Sequence, residues 1–154
     1  MIQRKQTIFL FIAFILAVAC LALPIATLEP QKMGGEQLLY NLCVLTDKGK
    51  FDFSQIVAFP LFIMMVIVAA ISLITIFLFR NRKLQMRLCS VSMILIVLWY
   101  AYFAACKFAL TPETLIFHPA IACVFPICTM IFIILARNGV RADERLVRAA
   151  DRIR

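Results

Sequence analysis

The sequence carries no acidic residue between Phe53 and Pro112, and none between Thr114 and Ala142. Proton pumps and many ion-coupled transporters need a carboxylate inside the membrane, where it exchanges a proton or holds a cation in a low dielectric. This chain offers none within its apolar runs. Glycine is also scarce: there are four, and none lies in an apolar run. That excludes Gly-interrupted half-helices of the transporter kind and GxxxG helix contacts. The one histidine, His118, has no second histidine beside it, so a metal or proton-relay site has no partner residues. No CxxC pair occurs among the six cysteines, and only Cys43 lies outside the apolar runs. One loop cysteine cannot close a loop disulfide, so cysteine reads as a small apolar packing residue. No serine has a histidine and acid partner, and there is no Gly-rich phosphate loop. The expectation is therefore no enzyme, no cofactor and no metal.

What the chain does have is apolar length. Of 154 residues, 64% are hydrophobic, and the mean hydropathy is +0.99. A soluble protein is nearer half apolar. The excess falls in four runs, at about 7–27, 56–79, 88–110 and 114–136. Each approaches the roughly 20 residues that cross about 30 Å of hydrocarbon at about 1.5 Å per residue. They leave space for one membrane domain, 1–154, and no separate soluble one. The stretch Ala17-Val18-Ala19-Cys20 resembles a lipoprotein signal end. Ala17 stands where a full motif prefers Leu, and the apolar run continues through Ile25, so an uncleaved span is expected.

Basic residues set the orientation. Arg4 and Lys5, then Arg80, Arg82, Lys83 and Arg87, then Arg137, Arg141, Arg145, Arg148, Arg152 and Arg154 fall on one side. Only Lys32, Lys48, Lys50 and Lys107 fall on the other. Twelve against four marks the first side as cytoplasmic, with both termini there. The net charge of +8 is thus explained by topology and anionic headgroups, and no nucleic-acid partner is expected. Lys107 is placed to snorkel to the outer headgroups and His118 to face the outer interface.

The outer loop 29–55 is patterned. Leu38, Tyr40, Leu42 and Val44 alternate with their neighbours, Thr46-Asp47-Lys48-Gly49 makes a turn, and Phe51 and Phe53 flank Asp52. This predicts a β-hairpin. The inner loop 80–87 and the loop at Thr111-Pro112-Glu113 are short, so consecutive spans should be antiparallel neighbours. Pro126 should kink span four. Ala13 with Ala17, and Ala101 with Ala105, offer small-residue faces, while Ser72, Thr75, Ser90, Ser92 and Thr129 can bond back to their own helix or bridge to another. Asn138-Gly139 reads as a stop, after which 140–154 forms a separate amphipathic helix with Leu146, Val147, Ala150 and Ile153 on one side. The acidic Asp143, Glu144 and Asp151 are more than lipid binding requires, and suggest pairing with the inner loop or with another protein.

The expected fold is an all-α membrane protein: an up-down four-helix transmembrane bundle with a small extracytoplasmic β-hairpin and a C-terminal cytoplasmic amphipathic helix. The opening Met1-Ile-Gln-Arg-Lys-Gln-Thr7, the inner loop Asn81-Arg-Lys-Leu-Gln85 and the ending Arg141–Arg154 resemble a bacterial family of four-span inner-membrane proteins catalogued only as a domain of unknown function. The family usually carries Ser where Ala149 stands. The resemblance implies a bacterial inner-membrane location and a cytoplasmic tail, and supplies no activity. The residues themselves point to a non-enzymatic scaffold or accessory subunit. Its candidate contacts, with an unidentified membrane or cytoplasmic partner or with anionic lipid, are Arg80, Arg82, Lys83, Arg87, Arg141, Asp143, Glu144, Arg145, Arg148, Asp151 and Arg152. An oligomeric small transporter or pore is the alternative; it would need a polar path built from hydroxyls, Lys107 and His118.

Overall fold

The computed structural model describes residues 3–30, 35, 37–45, 51–52, 59–78, 81–110 and 115–152. Four helices dominate: α1 (Gln3–Ala22), α2 (Phe59–Phe77), α3 (Arg82–Leu110) and α4 (Phe125–Arg152). The stretches Phe59–Phe77, Arg82–Phe108 and Ile121–Leu146 are long and apolar enough to cross a membrane, and Gln6–Ala22 is a shorter apolar stretch of α1. The chain is thus mostly helical, with three to four apolar helices able to span a membrane. Its outward surface agrees: Phe11, Ile94, Val97 and Phe108 are all more than half exposed. A soluble monomer rarely shows so much apolar surface, whereas hydrocarbon accepts it.

The helices form a ring in which each packs on its sequence neighbours, and α1 closes against α4. Inside lie two stacked clusters. One is built on Ala17, Ile25, Leu39, Met65 and Trp99, the other on Leu10, Ala13, Val68, Ile96 and Ile133. Ala13 and Ala17 are wholly buried, so the small face of α1 admits its neighbours closely. Ala101 and Ala105 instead point outward, because Trp99, Phe103 and Cys106 occupy the inward side of α3. The hydroxyls follow the back-bonding pattern. Ser72, Thr75, Ser90, Ser92 and Thr129 each donate to the carbonyl four residues earlier, at 2.6–3.1 Å.

One end of the ring carries a five-stranded antiparallel sheet in the order β4-β3-β2-β1-β5. Its strands are β1 (Ala26–Pro30), β2 (Gln37–Leu39), β3 (Val44–Leu45), β4 (Phe51–Asp52) and β5 (Leu115–Pro119). The expected hairpin is there in β3 and β4, with Leu45 opposite Phe51 and Val44 opposite Asp52. Its turn residues 46–50, and Phe53, lie outside the described residues. The alternating run 38–45 is not one strand, however. It turns between Leu39 and Val44, closed by the Tyr40 N–H donating to the Cys43 carbonyl at 2.8 Å, and pairs with itself as β2 and β3. The larger correction is that the sheet reaches beyond that loop. β1 pairs with β5 over five residues, Ala26 opposite Pro119 to Pro30 opposite Leu115.

That pairing moves the boundaries of spans one and four. Residues 26–27 are strand rather than span. Residues 115–119 are strand as well, followed by a 3-10 turn at Ile121–Val124, so helix begins only at Phe125. Pro126 therefore sits in the first turn of α4, where its missing N–H costs no hydrogen bond, and it starts the helix instead of kinking it. At the other boundary, α4 continues unbroken through Asn138 and Gly139 to Arg152. The tail is the end of span four's own helix rather than a separate one. Likewise α3 begins at Arg82, so Arg82, Lys83 and Arg87 lie on its first turns rather than in a loop.

Candidate functional site

At the end of the ring remote from the sheet, polar side chains from three helices meet. Gln6 of α1 and Asp143 of α4 are both more than nine-tenths buried. Gln6 Nε2 donates to Asp143 Oδ2 at 2.8 Å. Arg82, at the start of α3, donates from Nη1 to the Asp143 main-chain carbonyl at 3.2 Å. Gln85, one turn on, is buried and donates from Nε2 to the Thr75 carbonyl of α2 at 3.4 Å. Gly139 explains how α1 and α4 approach here. A Cβ at that position would lie 2.9 Å from Gln6 Cγ, so only glycine leaves room for the glutamine. Gly139 serves this contact and not a helix stop, because tertiary packing overrides the poor helix propensity of glycine.

Beside this junction the first turns of α3 face the second half of α4 across two adjoining clefts of about 270 and 320 Å³. Lys83, Arg87, Arg137, Arg141 and Arg145 line them with Met86, Ser90 and Glu144. Lys83, Arg87, Arg141 and Arg145 are exposed. The Nε of Arg137 is buried and has no hydrogen-bond partner among the described residues. Of the inner-loop and tail residues singled out in the sequence, Lys83, Arg87, Arg141, Glu144 and Arg145 are brought together on one surface. Asp143 differs from the rest. Its side chain is taken up inside the protein by Gln6, which removes it from any exposed contact set. Arg80 lies outside the described residues, and Arg148, Asp151 and Arg152 are placed on α4 with their side chains outside that description.

The sheet end is fixed by one buried amide. Asn41, in the turn between β2 and β3, is wholly buried. Its Nδ2 donates to the Cys20 carbonyl at 2.7 Å, at the end of α1. Its Oδ1 accepts from Trp99 Nε1 at 3.3 Å. Trp99 stacks on Phe103, with centroids 5.2 Å apart and planes 8° apart, and Phe103 meets Phe117 of β5 edge-on at 5.5 Å. A loop residue thereby ties turn, α1 and α3 together. Burial in the same turn pushes the Cys43 thiol above its usual range. His118 is on β5 rather than on a helix, and the sheet gives it the nearby carboxylate that the local sequence lacks: Nε2 lies 3.8 Å from Glu29 Oε2, both side chains about half exposed. Among the described residues, no three His, Cys, Asp or Glu side chains gather where they could hold a metal ion.

Gln6, Gln85, Asn41 and Arg137 were not singled out by sequence patterning. The one usable signal was polarity out of place: a lone Gln at the border of an apolar run, and an Arg at the end of one.

Fold and surface together define a small helical membrane protein with a polar, cation-lined junction at one end. The sequence matches the family model "Domain of unknown function (DUF4293)" over residues 2–153, and the chain belongs to that family. No curated protein matches it.

Proposed function

We propose that the chain is a non-enzymatic scaffold or accessory subunit of the bacterial inner membrane, which binds a protein partner through the surface where α3 begins and α4 ends. In this reading the four helices run up and down across the bilayer, the sheet lies outside, and the junction and both termini are cytoplasmic. The twelve-to-four bias of basic residues supports that orientation.

The observation that carries the reading is the Gln6–Asp143–Arg82 junction. It fastens the second half of α4 to α1 and α3. Arg141 and Arg145 are then presented beside Lys83 and Arg87 on a fixed surface, with Glu144 among them, instead of on a swinging tail. A preorganised surface of mixed sign costs less entropy on binding and favours one partner over others. The back-bonded hydroxyls favour this over a pore, since each hydroxyl donor is satisfied within its own helix.

The test is crosslinking in native membranes followed by purification. The wild-type chain should recover a discrete protein, and the triple variant Arg145→Glu, Arg148→Glu, Arg152→Glu should lose it while remaining folded. Recovery of no stable partner by the wild-type chain would count against the reading.

A further inference from the structure

We infer that the cleft between the first turns of α3 and the second half of α4 is a binding site for a phosphate-bearing anion, and that an anionic phospholipid headgroup is its occupant. The inference rests on the reading that this end of the bundle meets a membrane surface.

Among the described residues lining the clefts are five cations, Lys83, Arg87, Arg137, Arg141 and Arg145, and one carboxylate, Glu144. They come from two helices that the fold brings side by side, so no single basic run accounts for the cluster. Arg side chains take phosphate oxygens in pairs through their planar fork. Arg137 is the telling member: it stands deepest along α4 toward the apolar span, and its buried Nε has no partner among the described residues. Buried donors are nearly always paired, and an oxyanion in the adjoining cleft would give this guanidinium a counter-charge. Met86 adds an apolar contact to the cationic wall, and the volume of about 320 Å³ suits a headgroup. Basic pockets between membrane helices at the cytoplasmic surface take anionic headgroups by this chemistry. A free phosphate has the same oxygens, so the experiment separates the two sources.

The full chain is placed in nanodiscs of mixed phosphatidylglycerol and phosphatidylethanolamine, and the lipid retained after gentle release is counted by native mass spectrometry. Wild type should retain phosphatidylglycerol preferentially. Arg141→Gln should weaken that preference, and Arg137→Gln with Arg141→Gln should reduce it roughly tenfold. Lys107→Gln, near the opposite end of α3, should leave it unchanged. Arg141 is exposed, so its variant remains folded even if the double variant does not. In nanodiscs of phosphatidylethanolamine alone, inorganic pyrophosphate is titrated and followed by phosphorus NMR. Saturable binding there, lost in Arg141→Gln and without lipid preference, would keep the anion site and assign it to a soluble phosphate. No preference for either lipid together with no pyrophosphate binding overturns the inference. Because the assay uses purified protein, that result leaves the partner reading untouched, and failure to recover a partner leaves this inference untouched.

Discussion

Gln6 and Asp143 lie 137 positions apart, yet Gln6 Nε2 donates to Asp143 Oδ2 at 2.8 Å in a buried contact. The pair joins the first helix to the last at the end of the ring farthest from the sheet. Replacing Asp143 with Ala leaves the glutamine amide buried without an acceptor, at a cost of about 1–3 kcal/mol. Thermal unfolding in detergent should show Asp143→Ala melting below wild type, and Arg141→Ala, on the exposed side of the same turn, melting close to it.

Gly139 provides a sharper version of the same test, because its effect should change sign. Alanine at a helical glycine normally stabilises by about 0.5–1 kcal/mol. Here the added methyl meets Gln6 Cγ at 2.9 Å, so Gly139→Ala should destabilise the wild-type chain. In a Gln6→Ala background the obstruction is gone, and Gly139→Ala should become stabilising. A double-mutant cycle of unfolding midpoints measures this coupling directly.

Asn41 holds the turn of the sheet to the bundle through Cys20 and Trp99. Asn41→Leu would leave the indole N–H and a helix-end carbonyl unpaired, for a loss of roughly 2–4 kcal/mol when two buried groups go unsatisfied. The chain has one tryptophan, so its fluorescence reports this site alone. The emission maximum and its quenching by acrylamide should change in Asn41→Leu and not in Leu42→Ala, whose side chain is exposed.

Cys43 sits in that same turn, and burial raises its thiol pKa. The thiolate is the reactive form, so raising the pKa delays its appearance to higher pH. Maleimide labelling of Cys43 should therefore be slow near neutrality and accelerate at a higher pH than labelling of a cysteine at position 42. Equal rates and equal pH profiles would show that the turn is open to water.

The apolar helices were legible because burial in hydrocarbon needs length and composition, both local properties. The β3–β4 hairpin was legible for the same reason, since it depends on neighbours within a few residues, whereas for the hydroxyls the sequence left back-bonding and bridging between helices both open and the structure shows back-bonding. The β1–β5 pairing was not, because it joins segments about ninety residues apart. Leu115–Pro119 looks like the start of an apolar span, and only its partner strand makes it extended. Pro126 and Gly139 misled in a related way, since each is a local breaker whose meaning depends on where the helix begins or on what packs against it. The exposed members of the site could be read as charge; Asp143 could not be placed, because nothing near it in sequence reveals that Gln6 will donate to it.

The proposed function requires the sheet and the cationic junction to lie on opposite sides of one membrane. Leu42→Cys and Arg145→Cys, each introduced into a chain whose native cysteines are replaced by alanine, place one exposed thiol at either end. Intact cells whose outer membrane has been made permeable are treated with a membrane-impermeant maleimide. Labelling is expected at position 42 before the inner membrane is opened, and at position 145 only afterwards. Labelling at 145 in intact cells, or at both positions alike, would contradict that arrangement.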